Sequence, residues 1–139
     1  MTATKGYPGI DGDFLPVEVR AGHHDGYERI VVEYTGTGTL NWAAGYSEQA
    51  IEEGSGFVID MAGDTFLTLW VSGIGYPNDG ESIDLQPTGM DQLLTVRDVH
   101  VDAPFEGMHT VFIGLDKELP YHVQVLPDPE RLVVDIKTD

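Results

Sequence analysis

The residues best equipped for chemistry in this chain are His23, His24 and Asp25, which stand consecutively. Two imidazoles and a carboxylate are transition-metal ligands by type. Their spacing argues against that use, because adjacent residues of a strand or tight turn point in different directions. No H-x-H or H-x-x-x-H pair supplies a second set of nitrogens either, so the triplet is read as the polar tip of a hairpin. Asp11-Gly12-Asp13 and Asn78-Asp79-Gly80-Glu81 have the oxygen-rich, glycine-bent composition of calcium loops. Neither continues into alternating ligands and a closing bidentate Glu. Nothing singles out a glycosidase pair among 24 acidic residues. Gly54-Ser55-Gly56 lacks the strand-to-helix setting of a nucleophile elbow, and no phosphate loop is present. The expectation is a non-catalytic protein without metal or cofactor.

Aromatic rings are the remaining candidates, since flat faces suit sugar rings and peptides. Trp70, inside "FLTLWV", is expected in the core. Trp42 and Tyr46 share a strand face with Leu40 and Ala44, so either all four turn inward or the strand exposes an apolar strip; burial is the expectation. Tyr76 lies in the aperiodic stretch 73–92, which reads as a ligand loop or a connector, and is expected to be exposed. Tyr76, Trp42 and Tyr46 are the candidate ligand-binding residues.

These residues must be positioned by strands. Val17, Val19 and Ala21 alternate, as do Ile30, Val32 and Tyr34, and the intervening His24-Asp25-Gly26 predicts a hairpin with a type I′ turn. Further strands are expected at 39–46, 56–63, 65–72, 93–101, 109–115, 121–126 and 131–137, about nine in all. Gly-, Asp- and Pro-rich turns separate them. "SEQAIEE" (47–53) has room for one helical turn from a Ser47 cap. Residues 1–13 read as a flexible arm and 14–139 as one all-β domain, a sandwich or barrel.

Composition narrows the partners. The 139 residues carry a formal charge of -17, with 24 acidic against 7 basic side chains. Nucleic acids and anionic membranes, which need clustered Lys and Arg, are therefore excluded as partners. There is no cysteine, hence no disulfide or thiolate chemistry. No apolar run is long enough to insert into a membrane. The start, Met1-Thr-Ala-Thr, fits the mature part of an exported protein whose signal or lipid-anchor segment has been removed.

One short pattern occurs twice: "ERIVVEYT" at 28–35 and "ERLVVDIK" at 130–137. Ile30, Val32 and Tyr34 are expected inward and Arg29, Val31 and Glu33 outward; Leu132, Val134 and Ile136 inward and Arg131, Val133 and Asp135 outward. Arg29 and Glu33 stand roughly 13 Å apart along a strand, too far to pair. Each needs a cross-strand partner, so Arg29, Glu33, Arg131 and Asp135 are read as a structural motif.

The closing "LPDPERLVVDI" (126–136) resembles the end of the AMIN domain of cell-wall amidases. Together with "VRAGHHDGYERIVVEYTG" (19–36), "GSGFVIDMAG" (54–63) and "FEGMHTVFIGL" (105–115) it is more similar to the AMIN-like domain of exported actinobacterial proteins, often lipoproteins. The likeness runs from about Pro16 to Lys137 and departs at His23, where many relatives carry a basic residue. It implies a sandwich of two similar β-sheets in pseudo-symmetric halves, with the repeated runs as equivalent strands of the two halves. It also implies an extracellular or cell-envelope location and binding of a wall component, peptidoglycan or another wall glycan. The alternative is an acidic interaction module for a basic envelope protein, which would let go as salt rises, whereas recognition of neutral glycan would be nearly salt-independent.

Overall fold

Asp25-Gly26 turns the chain through a two-residue hairpin. Strand β1 (Leu15–His24) pairs antiparallel with β2 (Tyr27–Thr35), beginning with His24 opposite Tyr27. Gly26 takes a φ of 89° but Asp25 stays outside the positive region, so the turn is not the expected type I′, which needs both. The computed structural model describes residues 12–52, 55–75 and 85–138. All but the last two residues of the expected arm lie outside this range, and of those two Asp13 already donates its N–H to the Thr37 carbonyl at 3.0 Å.

The described residues form eight strands in two antiparallel sheets of four. The others are β3 (Asn41–Ser47), β4 (Thr65–Ser72), β5 (Asp98–Val101), β6 (Met108–Leu115), β7 (Tyr121–Leu126) and β8 (Arg131–Lys137). The first sheet has the order β1-β2-β8-β7 and the second β3-β4-β6-β5. Their inner faces meet in one core that includes Val19, Ile30, Val32, Tyr34, Leu132 and Val134 from the first, and Leu67, Leu69, Val71, Val111 and Ile113 from the second. Two amphipathic sheets thus pack face to face, each contributing every second residue.

The repeated run forms the two central strands of the first sheet. Its two copies, β2 and β8, are direct neighbours there. They pair antiparallel about Val31 opposite Val133, which sets Arg29 opposite Asp135 and Glu33 opposite Arg131. A pattern of Arg, three apolar residues and an acid, laid antiparallel on its own copy, therefore places unlike charges opposite each other twice. Arg29 forms a two-pronged bond to Asp135, Nε to Oδ1 at 2.8 Å and an Nη to Oδ2 at 3.0 Å. Glu33 instead accepts from Arg20 of β1 at 2.8 Å. Arg131 donates to the turn carbonyls of Pro129 and Pro127. Val133 lies on the outer face as expected but is buried there.

Two expected strands are shorter or missing for physical reasons. Of 93–101 only Asp98–Val101 is strand, because the preceding backbone is bent around Glu28. This carboxylate is fully buried on the core face of β2, in register with Ile30 and Val32. It accepts the backbone N–H groups of Leu94 (2.7 Å), Thr95 (3.1 Å) and Val96 (2.8 Å), and shares a 2.7 Å hydrogen bond with His23. Burial opposes its ionisation, but the Val96 and Leu94 amides, His23 and the Thr95 amide outweigh that and hold its pKa below the usual carboxylate range. The expected strand at 56–63 is the other case. It makes only an isolated bridge, Ile51 with Val58, within a strap. Nor do the described residues of the expected helical turn, 47–52, form one: β3 continues through Ser47 and the chain then enters the same strap.

Candidate functional site

The strap follows β3 and crosses the outer face of the second sheet before β4. Ala50 packs there against Phe66 and Phe112, with Ile59 and Met61 beside them, forming a small second core. Its two limbs are tied by Ile59 N–H to the Ala50 carbonyl and Glu52 N–H to the Phe57 carbonyl, both 2.8 Å. The Ala62 N–H reaches Asp98 Oδ2 at 3.1 Å. Close approach requires Gly114 on β6, where a Cβ would overlap the Ala62 carbonyl.

Between strap and sheet lies an open cleft of about 580 Å³. Ser47, Glu48, Gln49 and Ile51 form one wall; Thr68, Trp70 and Phe112 form the floor. The wall therefore supplies a carboxylate, an amide and a hydroxyl, and the floor an indole that is half-buried. Trp70 belongs here because residues of β4 alternate: Leu67, Leu69 and Val71 go into the core, so Thr68 and Trp70 face out. That corrects the expectation that Trp70 is a core residue. Phe112 is steadied by a tilted ring contact with His100, centroids 6.3 Å apart.

Gly45 adjoins this floor. It stands opposite Thr68 in the β3–β4 pair, hence on the same outer face. A Cβ built on it would meet nothing within 4 Å, and its φ is not positive. A glycine inside a strand costs roughly 0.5–1 kcal/mol relative to Ala, and neither backbone geometry nor crowding requires this one. Its lack of a side chain keeps the cleft open along the β3 edge. Two other concavities lack this combination. One of about 530 Å³ is bounded largely by the turns at 35–38 and 128–130; the other, about 180 Å³, lies between Tyr27 and Tyr121.

Of the ligand-binding candidates named from sequence, Trp42 and Tyr46 are not among the residues that line the cleft. Trp42 pairs with Val71 on the inner side of the edge strand but remains 42% exposed. Tyr46 is half-buried opposite Leu67; its hydroxyl donates to the Leu119 carbonyl at 2.6 Å and accepts the Leu119 N–H at 2.9 Å. That phenol staples β3 to the β6–β7 connection. Tyr76 and Asn78 to Glu81 lie outside the described residues. His23 is engaged by Glu28, and His24 stacks on Tyr27 with centroids 4.8 Å apart. Among the described residues no three His, Asp or Glu side chains converge as a metal site. The sequence reading missed Glu48 and Gly45, and it placed Trp70 on the wrong face; strict alternation from Leu67 would have turned Trp70 outward.

No curated protein matches the chain. The family model for the AMIN-like domain matches residues 15–138, which spans all eight strands and the strap. That family points to non-catalytic, cell-wall-associated binding, in keeping with a site built of rings and hydrogen-bonding groups. The match covers nearly the whole chain, and on it the chain belongs to the AMIN-like domain family.

Proposed function

We propose that this domain retains its protein at the cell envelope, outside the cytoplasm, by binding peptidoglycan in the cleft between the strap and the second sheet. The observation that carries the reading is the cleft floor: Trp70 half-exposed on the sheet face that also carries Gly45, a glycine with no structural need of its own. Ligand sites of several hundred Å³ lined by rings and a few polar groups are the usual form of such recognition. A glycine in a strand often marks close approach of another molecule. Trp70 supplies the ring face, while Glu48, Gln49 and Ser47 supply acceptors and donors along one wall.

Cosedimentation of the purified domain with insoluble peptidoglycan tests this. The wild type should pellet with the wall, and Trp70→Ala should not, with its folded state checked by near-ultraviolet circular dichroism. Equal pelleting of both proteins, or no pelleting of either, refutes the site or the wall reading respectively. Retention of a basic envelope protein at low salt, with no retention on wall material, would favour the interaction-module reading instead.

A further inference from the structure

We infer that the group read in the cleft is a free primary ammonium on the peptide part of the wall polymer, rather than the neutral sugar ring. This rests on the wall-binding reading and deepens it. No Lys or Arg occurs anywhere between Arg29 and Arg97, a span that includes β3, the strap and β4. Nor do β5 and β6, which complete the sheet, contain one. The cleft wall carries the exposed carboxylate of Glu48, and Glu52, Asp60 and Asp64 stand along the strap. Arg20, Arg29 and Arg131, by contrast, occupy the outer face of the other sheet, each bonded to an acid or to turn carbonyls. Three cations thus lie on the face away from the cleft; of the other described ones, Arg97 precedes β5 and is bonded to Asp116, Lys117 follows β6 and Lys137 ends β8, and none lines the cleft.

A cation gains in such a place from two sources. An indole face attracts an ammonium through its quadrupole, and a carboxylate alongside adds a charge-assisted hydrogen bond. Trp70 and Glu48 line the same cleft and supply one each. A neutral hexose would use the ring but would leave the Glu48 charge uncompensated. An anionic wall polymer would be repelled by the whole strap. The volume of about 580 Å³ admits an amine-bearing side chain together with its flanking peptide, and Gly45 leaves the cleft's long side open for that peptide to run past. The ligand class is therefore a short peptide with an unacylated side-chain amine.

Acylating the wall's amines tests the assignment without altering its glycan. Insoluble peptidoglycan is divided, one half treated with acetic anhydride, and both halves titrated with wild-type domain and with Glu48→Gln. The wild type should bind the acetylated wall about tenfold more weakly, the loss expected for one charge-assisted contact with its cation–π partner. Glu48→Gln should bind the untreated wall more weakly than wild type and lose less on acetylation, since only the Trp70 contact with the ammonium remains. In parallel, Nα-acetyl-lysine methylamide should perturb tryptophan fluorescence and its Nε-acetylated counterpart should not, a readout that needs no wall. Equal wild-type binding to both halves overturns the ammonium assignment while leaving wall binding intact. No binding to either half overturns the wall reading, and an identical response to the two soluble probes overturns the ammonium assignment by itself.

Discussion

Replacing Glu28 should be among the most damaging single changes in this chain, although the residue is polar and does not line the cleft. Its carboxylate is fully buried and is the acceptor for three successive N–H groups, those of Leu94, Thr95 and Val96. Glu28→Ala leaves those donors facing an apolar void, and each buried unpaired donor costs about 1–3 kcal/mol. Partial entry of water reduces the sum, so the loss should be about 3–5 kcal/mol, a large part of the 5–15 kcal/mol available to a domain of this size. Glu28→Gln should fall between, because its amide turns one acceptor into a donor pointed at donors. Urea unfolding at neutral pH, followed by the fluorescence of Trp42 and Trp70, measures the loss. Hydrogen exchange should show the three amides protected in the wild type and open in the variant. The sign with pH follows from the lowered pKa: the contribution is fully present above the ordinary carboxyl value of 4.5 and disappears as pH falls through the lower folded value. A loss below about 1 kcal/mol for Glu28→Ala, with 94–96 still protected, would refute the reasoning.

Three further outcomes follow from other groups. His109 is buried, its Nε2 sharing a 2.6 Å hydrogen bond with the Tyr34 hydroxyl while its Nδ1 has no hydrogen-bond partner among the described residues. Burial lowers its pKa from 6.5 to about 4, an effect only partly offset by Asp102, so the unfolded chain binds the proton first. Stability should fall by about 3 kcal/mol as pH drops from above 6.5 to about 4, and pH-dependent calorimetry of His109→Gln should show a flatter slope over that window. Arg29→Ala should lower the urea midpoint more than Arg131→Ala, by about 1–2 against less than about 1 kcal/mol, because Arg29 has a two-pronged carboxylate and Arg131 only exposed turn carbonyls. Tyr46→Phe should destabilise by about 1–2 kcal/mol through the two Leu119 bonds, yet leave wall cosedimentation unchanged.

Most strands were legible because alternation of branched residues fixes which side chains point inward. The 28–34 run shows both the power and the limit of that signal. Counting back by two from Ile30 puts Glu28 on the core face, but its donors come from 94–96, and no local pattern announces a contact across that separation. The repeat shows a different limit. Similar strands are equally compatible with symmetry between sheets and with adjacency in one sheet; the charges would have favoured adjacency, since antiparallel pairing sets Arg29 against Asp135. "GFVIDMAG" reads as a strand by composition. It fails as one because Ile59 and Met61 pack on the outer face and Ala62 lies against Gly114, neighbours that only the folded sheet supplies. The cleft was invisible for the same reason. Gly45 looks like a weak point of β3 until its register opposite Thr68 places it on the sheet face that carries Trp70.

Gly45→Val gives the most direct test of the claim that this cleft is the ligand site. The added side chain meets no atom of the protein within reach of its Cβ and suits a strand, so the urea midpoint should stay the same or rise. It would, however, stand on the cleft's face opposite Thr68 and narrow the path a bound chain must follow. Titration against insoluble peptidoglycan is the measurement. The account predicts a fully folded variant whose binding is at least tenfold weaker than wild type. A folded Gly45→Val that binds the wall as tightly as wild type would place the ligand elsewhere and contradict it.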